Sequence, residues 1–158
     1  MATSVVPAAV DALLEILRAT PALSPAADVR VIDGPPGVNF TERHRVYVGY
    51  SPGADQAVEI TQSFASAGAR RRDEEAAIYC YIETRGGDKD MALRRARAFA
   101  LLAAVEDALR ATDTFPEAPT LNGTVLWSEL TAGGLTQEQS PDGALASLAF
   151  TVRTRARI

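Results

Sequence analysis

The first helical pattern lies near the N-terminus, in residues 5–20. Apolar side chains recur there at the three- and four-residue spacing of one helix face, and Asp11, Glu15 and Arg18 fall outside that stripe. Pro7 suits the first turn of a helix, because the N–H that proline lacks would be unpaired there in any case. We therefore predict a helix over this range.

A second and longer helical pattern covers residues 88–111. Asp88 can cap its first turn, since a short acidic side chain accepts a hydrogen bond from the free N–H groups there. Met91, Ala98, Leu102, Val105 and Leu109 form one apolar stripe, which Phe99 and Leu101 flank, and Ala96, Ala100, Ala103 and Ala104 cluster on the opposite side. Because alanines allow close approach, we expect the first helix or a neighbouring subunit to pack against them.

Six segments alternate between apolar and polar residues or are rich in β-branched residues, as strands are. They are residues 28–33, 44–50, 57–65, 76–85, 123–130 and 144–158. Turns or loops are predicted at 34–37, 51–55, 66–75, 131–134 and 140–143, with a short extended piece at 135–139. Together with the two helices, these segments predict an α+β fold. We expect one domain over residues 1–158, with a mostly antiparallel or mixed sheet of about six strands and both main helices on one face.

Alternation along the strands gives the predicted sheet two different faces. The apolar face carries Val46, Val48, Val58, Ile60, Ile78, Cys80, Ile82, Leu148, Phe150 and Val152. The opposite face, here called the mixed face, carries Tyr47, Glu59, Thr61, Tyr79, Tyr81, Glu83, Trp127, Glu129, Arg153, Arg155 and Arg157. Tyrosine, tryptophan and arginine are enriched at protein interfaces. The plain alternative is a solvated face with cross-strand glutamate–arginine pairs, and the sequence leaves both interpretations open.

Residues 49–53 (Gly-Tyr-Ser-Pro-Gly) match the G-x-S-x-G pattern of the nucleophile elbow in α/β-hydrolases. That elbow needs a helix after the serine and takes an oxyanion-hole N–H from the next residue. Here residues 57–65 predict a strand, and Pro52 has no N–H. The single histidine, His44, precedes the serine, whereas that fold places it afterwards. We therefore interpret the Ser-Pro-Gly-Ala-Asp stretch as a hairpin turn and predict no chemistry at Ser51.

The remaining candidates for chemistry are sparse. Cys80 alternates with Ile78 and Ile82, which predicts a small core residue, and no histidine follows it to activate the thiol. One histidine cannot build a histidine-rich metal site. Residues 70–75 (three arginines, then Asp-Glu-Glu) are adjacent in sequence, so their side chains splay apart and predict a solvated connection. We therefore predict no catalytic residue, no cofactor and no metal.

Charge and hydropathy limit the classes of partner. The 158 residues carry a net charge of −4, which argues against a general nucleic-acid binder. The N-terminus has no basic start, and no apolar run approaches the ~20 residues that span a bilayer. We therefore expect no membrane partner, and a protein kept in, or assembled in, a cytoplasm-like compartment.

Three arginines in the last strand form a separate feature. Arg153, Arg155 and Arg157 recur at every second position, which spaces them about 6.7 Å apart on the mixed face. Such a stripe could follow a phosphate backbone as DNA passes. Because the net charge is negative, we favour pairing with an acidic edge of a neighbouring subunit.

Four stretches carry a recognisable order of elements and turns. They are AVDALLEILRA (9–19), VRVIDGPPG (29–37), the helix after IETRGGDKD (82–90), and LTQEQSPDGALASLAFTVRTRAR (135–157). The most telling parts are D-G-P-P after a strand and Q-x-Q-x-x-D-G-A before the last one. Over essentially the whole chain, this order resembles the tail terminator proteins of long-tailed phages and prophages, particularly those of actinobacterial hosts.

The resemblance implies a structural virion protein without enzymatic activity or cofactor. Such subunits form a ring, commonly a hexamer, that caps the head-proximal end of the tail tube, stops its polymerisation and offers a surface for joining the head. The implied partners are further copies of the chain, the tail tube protein and the head–tail connector or neck proteins, with DNA only passing through the lumen. The implied location is the virion tail, after assembly in the host bacterial cytoplasm.

The expected subunit-interface or lumen residues belong to three parts of the chain. They are Arg70, Arg71, Arg72, Tyr79, Tyr81, Trp127, Arg153, Arg155 and Arg157. Two alternatives stay open: a neck or head–tail completion protein, and, in a different class, a small-molecule-binding or enzymatic α+β domain.

Overall fold

Two helices and six strands follow one another in a computed structural model that describes residues 2–68 and 70–158. The elements are α1 (Val6–Arg18), β1 (Val29–Asp33), β2 (His44–Val48), β3 (Val58–Phe64), β4 (Arg72–Arg85), α2 (Met91–Ala108), β5 (Trp127–Ser140) and β6 (Gly143–Arg157). The six strands form one sheet in the order β1-β2-β4-β6-β5, with β3 also paired to β4. Only the β1–β2 pair is parallel. The predicted α+β class and mixed, mostly antiparallel sheet are confirmed.

The 14-residue strand β4 is long enough to hold two strands end to end along one side. β2 pairs with its C-terminal half, and β3 pairs with its N-terminal half. Residues 49–57 leave the sheet between them, and Tyr79 closes the gap by accepting from Tyr50 N–H and donating to the Ala57 carbonyl. The predicted hairpin turn in this segment is therefore wrong. A hairpin would make β2 and β3 partners running in opposite directions, whereas both run antiparallel to β4.

Both helices contribute to one core on the apolar face. Ile78, Cys80, Ile82 and Phe150 are buried there together with apolar side chains of α1 and α2. Ile60, in the edge strand β3, is the exception, with 46% of its surface exposed. The predicted apolar face is thus the core face, except at this edge.

The start of β4 differs from the predicted polar connection over 66–75. The strand begins at Arg72, so Asp73, Glu74 and Glu75 alternate between the two faces. Glu74 is only 1% exposed and accepts a hydrogen bond of 2.9 Å from the N–H of Val5, at the first turn of α1. Three adjacent acidic residues suggested a solvated loop, but neighbouring strands pair with this segment on both sides.

The long helix is shorter than predicted. Asp90, not Asp88, caps α2, and its side chain accepts from the N–H of Leu93 at 3.1 Å. Asp88 lies before the helix and pairs with Arg94 at 3.5 Å. The Gly86–Lys89 segment is therefore a connection, and its Asp88 carbonyl accepts from the N–H of Ala144 in β6.

The predicted turn at 131–134 is part of one continuous strand, β5. Its pairing with β6 slips by one residue between Ala132 and Leu135, which is a β-bulge at Gly133 and Gly134. A Cβ atom on Gly133 would lie 2.9 Å from the Ala149 carbonyl oxygen, so glycine allows this close approach. Paired glycines that suggested a chain reversal therefore mark a bulge.

Candidate interaction surface

The mixed face brings together four of the residues expected at an interface. Trp127 lies opposite Arg155 across the β5–β6 pair, and Arg153 and Arg157 flank Arg155 along β6. Tyr79 and Tyr81 lie farther along β4 on the same face. The sequence pattern alone placed these side chains together, because strand alternation fixes the face of each residue.

The three arginines near the start of β4 lie apart from that group. Arg70 and Arg71 are exposed in the turn between β3 and β4. Arg72 lies opposite Phe64, and its Nη1 donates to Gln62 Oε1 at 2.9 Å. Arg72 therefore shares the apolar face with Glu74 and is removed from the arginines of β6.

Asp73 neutralises much of the arginine stripe from within the chain. Arg157 Nε lies 2.8 Å from Asp73 Oδ1, and Arg155 Nη2 lies 3.2 Å from Asp73 Oδ2. The hydrogen bonds from Arg157, and then from Arg155, hold the pKa of the Asp73 carboxyl below its ordinary value. No such ion pair of Arg153 is found among residues 2–68 and 70–158. Arg153 is thus the member of the stripe that keeps its charge available to a partner.

A shallow groove of about 150 Å³ lies beside Arg153 on the mixed face. Trp127, Glu59 and Glu75 contribute to its lining. The hydroxyl of Tyr79 donates to Glu59 at 2.7 Å, which raises the pKa of Tyr79. The groove is smaller than the roughly 300 Å³ at which ligand pockets begin. Its mixture of an indole, a guanidinium and carboxylates is suited to single side chains of a partner protein.

The other end of the mixed face is covered by the chain itself. In the loop between β1 and β2, the Phe40 ring lies 5.5 Å from the Arg30 guanidinium and 5.6 Å from that of Arg45. Tyr47 is 2% exposed and packs edge-on against Tyr50, with ring centroids 5.3 Å apart. The sequence assigned Tyr47 to an open face, so this part of the prediction is wrong. The half near β3 and the start of β5 is the open part.

His44 and Ser51, which were considered together for chemistry, lie at opposite ends of β2. Ser51 follows β2 and leads through a loop into β3, not into a helix. His44 begins β2, and four residue steps of about 3.3 Å put it roughly 13 Å from the far end of that strand. Burial lowers the pKa of His44, and burial raises the pKa of the Cys80 thiol to about 12. No cluster of three metal-ligating side chains occurs in the described part of the chain.

Helix α2 exposes apolar side chains on the side that faces away from the core. Leu93 is 50% exposed and Phe99 is 47% exposed. The alanines Ala96, Ala100 and Ala103 are exposed beside them. The sequence assigned Phe99 to the flank of the core stripe, and the structure places it on the alanine side instead. This gives α2 two apolar sides, of which one is covered.

The first helix covers only part of this alanine side. Between the end of α1 and α2 lies a groove of about 540 Å³, lined by apolar side chains such as Ile16, Ala104 and Phe115. The groove joins the exposed side of α2 through Ala100 and Ala103. The predicted close approach of α1 therefore leaves a surface that another molecule could fill.

No protein-family model matches the chain, and no curated protein matches its sequence. Across the described residues, none of the helices combines the length and the apolar character that crossing a membrane requires.

Proposed function

We propose that this chain is a subunit of a closed ring that caps the head-proximal end of a phage tail tube. The ring stops polymerisation of the tube and presents the surface to which the head is joined. It acts in the virion tail, after assembly in the host bacterium. The order of sequence elements that resembles tail terminators is the starting point of this proposal.

The observation that carries the proposal is the two-sided apolar character of α2. A contiguous apolar patch that is exposed on a protein surface often marks a site of contact with another protein. Here Leu93 and Phe99 are about half exposed, next to a groove of about 540 Å³. A ring subunit that packs this side of α2 against its neighbour would remove the apolar surface from water.

A ring also needs two different contact surfaces on each subunit. Head-to-tail contacts are heterologous, and they close only at a fixed number of copies. The side of α2 and the open half of the mixed face, with Trp127 and Arg153, are two such surfaces on different parts of the fold. Arg153 suits an acidic group of the neighbour, and a ring that placed it in the lumen would present it to passing DNA.

The test mixes the purified chain with tail tube subunits of the same genome and examines the product by electron microscopy. We expect tubes of uniform length with a ring at one end. Tubes of unregulated length, with no protein at either end, would refute the proposal. Rings that join head connectors but leave tube length unregulated would favour a neck protein instead.

A pair of matched variants tests whether the exposed side of α2 is needed for capping. Phe99→Glu places a charge on the exposed side of α2 and should abolish capping while leaving the fold intact. Val38→Glu makes the same kind of change at a residue that is exposed in the loop between β1 and β2. We expect Val38→Glu to cap tubes as the wild type does. Equal capping by both variants would exclude this side of α2 as the interface.

One observation favours a second candidate function. The groove of about 540 Å³ has the volume of a site for a small apolar ligand. A binder of this kind would remain monomeric at high concentration and would bind an apolar fluorescent dye with one-to-one stoichiometry. Replacing Ala104 by Trp should then abolish dye binding by filling the groove. If the Ala104→Trp protein loses dye binding but still caps tubes, capping does not depend on a ligand in the groove.

A further inference from the structure

Strand β5 has a long edge that the other described strands leave unpaired. It pairs with β6 along one side, and the described residues provide no strand on the other. Every residue from 131 to 140 is exposed. Beyond the bulge at Gly133 and Gly134, residues 135–140 contain neither proline nor lysine, two of the residues with which proteins protect such edges. Their free N–H and carbonyl groups therefore suit an extended segment of another chain.

Strand β3 provides a second unpaired edge at the opposite side of the sheet. Its seven residues pair with β4 alone, and they too lack proline and lysine. The remaining edge strand, β1, is less available. An Arg18 guanidinium from α1 reaches the Val31 carbonyl at 3.4 Å, and the apolar side chains of β1 are buried.

The directions of these two edge strands are complementary. β3 and β6 both run antiparallel to β4, and β5 runs antiparallel to β6. β3 and β5 therefore run in opposite directions within one subunit. A second copy placed beside the first in the same orientation brings its β3 antiparallel to β5, which allows an antiparallel ladder with the part of β5 on one side of the bulge.

The exposed apolar side chains on the two edges also point the same way. Ile60 and Phe64 lie on the apolar face of β3, and their exposures are 46% and 70%. Leu135 lies on the apolar face of β5, opposite Leu148, and is 37% exposed. When β3 of one copy extends the sheet of another, these side chains become cross-strand neighbours, a contact that stabilises sheets.

We infer that β5 of one copy pairs antiparallel with β3 of the next copy, so that the sheet continues from subunit to subunit. This inference rests on the proposed ring and names one of its contacts. Each copy uses both edges once, so the contact is heterologous. The segment of β5 that receives the neighbour is 131–140, because the start of β5 is approached by the chain itself, where Ser128 donates to the Pro119 carbonyl.

Disulfide trapping in the full-length chain tests the pairing. Ile60→Cys is combined in turn with a cysteine at four apolar-face positions of β5: Ala132, Leu135, Gln137 and Gln139. These double variants sample neighbouring registers, since a disulfide requires Cα atoms within about 7 Å and Cβ atoms that face each other. Under a mild oxidant at high protein concentration, at least one should give a ladder of covalent dimers, trimers and higher species.

Three controls exclude cross-links that do not come from β5–β3 pairing. Wild-type protein should give no cross-link, because Cys80 is fully buried. Ile60→Cys with Thr136→Cys places the second thiol on the mixed face, so it should give no ladder. Each single-cysteine variant should stay monomeric on a non-reducing gel. Dimers from a single variant would mean like-with-like pairing and would overturn the inference, as would the absence of a ladder from all four double variants.

The outcomes separate this inference from the proposed function. Capped tubes without any ladder would leave the tail-terminator proposal standing and refute the β5–β3 pairing. A ladder from a protein that never caps tubes would support the pairing and refute the terminator role. Leu135→Lys gives a second measurement, since a charge pointing inwards on an edge strand opposes pairing. It should suppress oligomers at least tenfold while leaving the monomer folded.

Discussion

Replacing Glu74 by alanine should destabilise the fold far more than replacing its neighbour Glu75. Glu74 is 1% exposed, accepts from the N–H of Val5 at 2.9 Å and accepts from Gln62 Nε2 at 2.5 Å. Gln62 in turn accepts from Arg72 at 2.9 Å, so the carboxylate anchors α1 to β3 and β4. Removing it leaves the half-buried N–H of Val5, at the start of α1, without this partner.

The size of the effect follows from these contacts. Hydrogen bonds to charged groups contribute about 1.5–3 kcal/mol each. Because the bonds share one carboxylate and are not additive, we expect Glu74→Ala to lower the free energy of unfolding by about 3 kcal/mol. For a domain of this size, that corresponds to a fall in Tm of roughly 6–12 °C.

Urea unfolding followed by circular dichroism measures the difference at a fixed protein concentration. The matched control is Glu75→Ala, which changes the same residue type one position along, on the exposed mixed face. It should cost no more than about 0.5 kcal/mol, as surface substitutions usually do. If the two variants have equal stability within that margin, Glu74 is not the anchor that we infer.

Three further predictions concern residues considered for chemistry or interfaces. A fluorophosphonate probe should not label the native protein, because Ser51 is followed by Pro52, and stoichiometric labelling that Ser51→Ala removes would contradict this. A thiol reagent should react with Cys80 only in denaturant, because burial raises the pKa of that thiol to about 12, and fast labelling of folded protein would contradict it. Changing the arginines of the β6 stripe to alanine should lower Tm only slightly, because ion pairs of half-exposed arginines contribute little, while impairing assembly; failure to fold would make the stripe structural. The stripe consists of Arg153, Arg155 and Arg157.

Local sequence patterns predicted the composition of both sheet faces. Side chains alternate along a strand, so the positions of Ile78, Cys80 and Ile82 relative to Tyr79 and Tyr81 follow from sequence order alone. The same rule placed Trp127 and the β6 arginines on one face. The helices were also predicted from their spacing, although the N-terminal cap of α2 lies two residues later than expected.

Contacts between distant segments decide which of the surface residues remain exposed and unpaired, and so able to contact a partner. Asp73 lies more than 80 residues before Arg155 and Arg157 in the chain, and only the β4–β6 register brings them together. Tyr47 is buried, and its ring packs against those of Tyr50 and Tyr81, which no alternation pattern records. The sequence therefore predicted the members of the candidate surface but not which of them remained free.

Strand connectivity was likewise decided by the tertiary structure. The sequence determined that residues 57–65 and 135–139 are extended and that glycines interrupt the pattern at 133–134, because β-branching, alternation and glycine act locally. Only the folded sheet decided that β3 continues the line of β2 along β4 and that Gly133 and Gly134 form a bulge in β5. Strand pairing is a contact between segments far apart in the chain. The same turn-forming residues are therefore compatible with a turn, a bulge or a loop, and the partner strand decides between them.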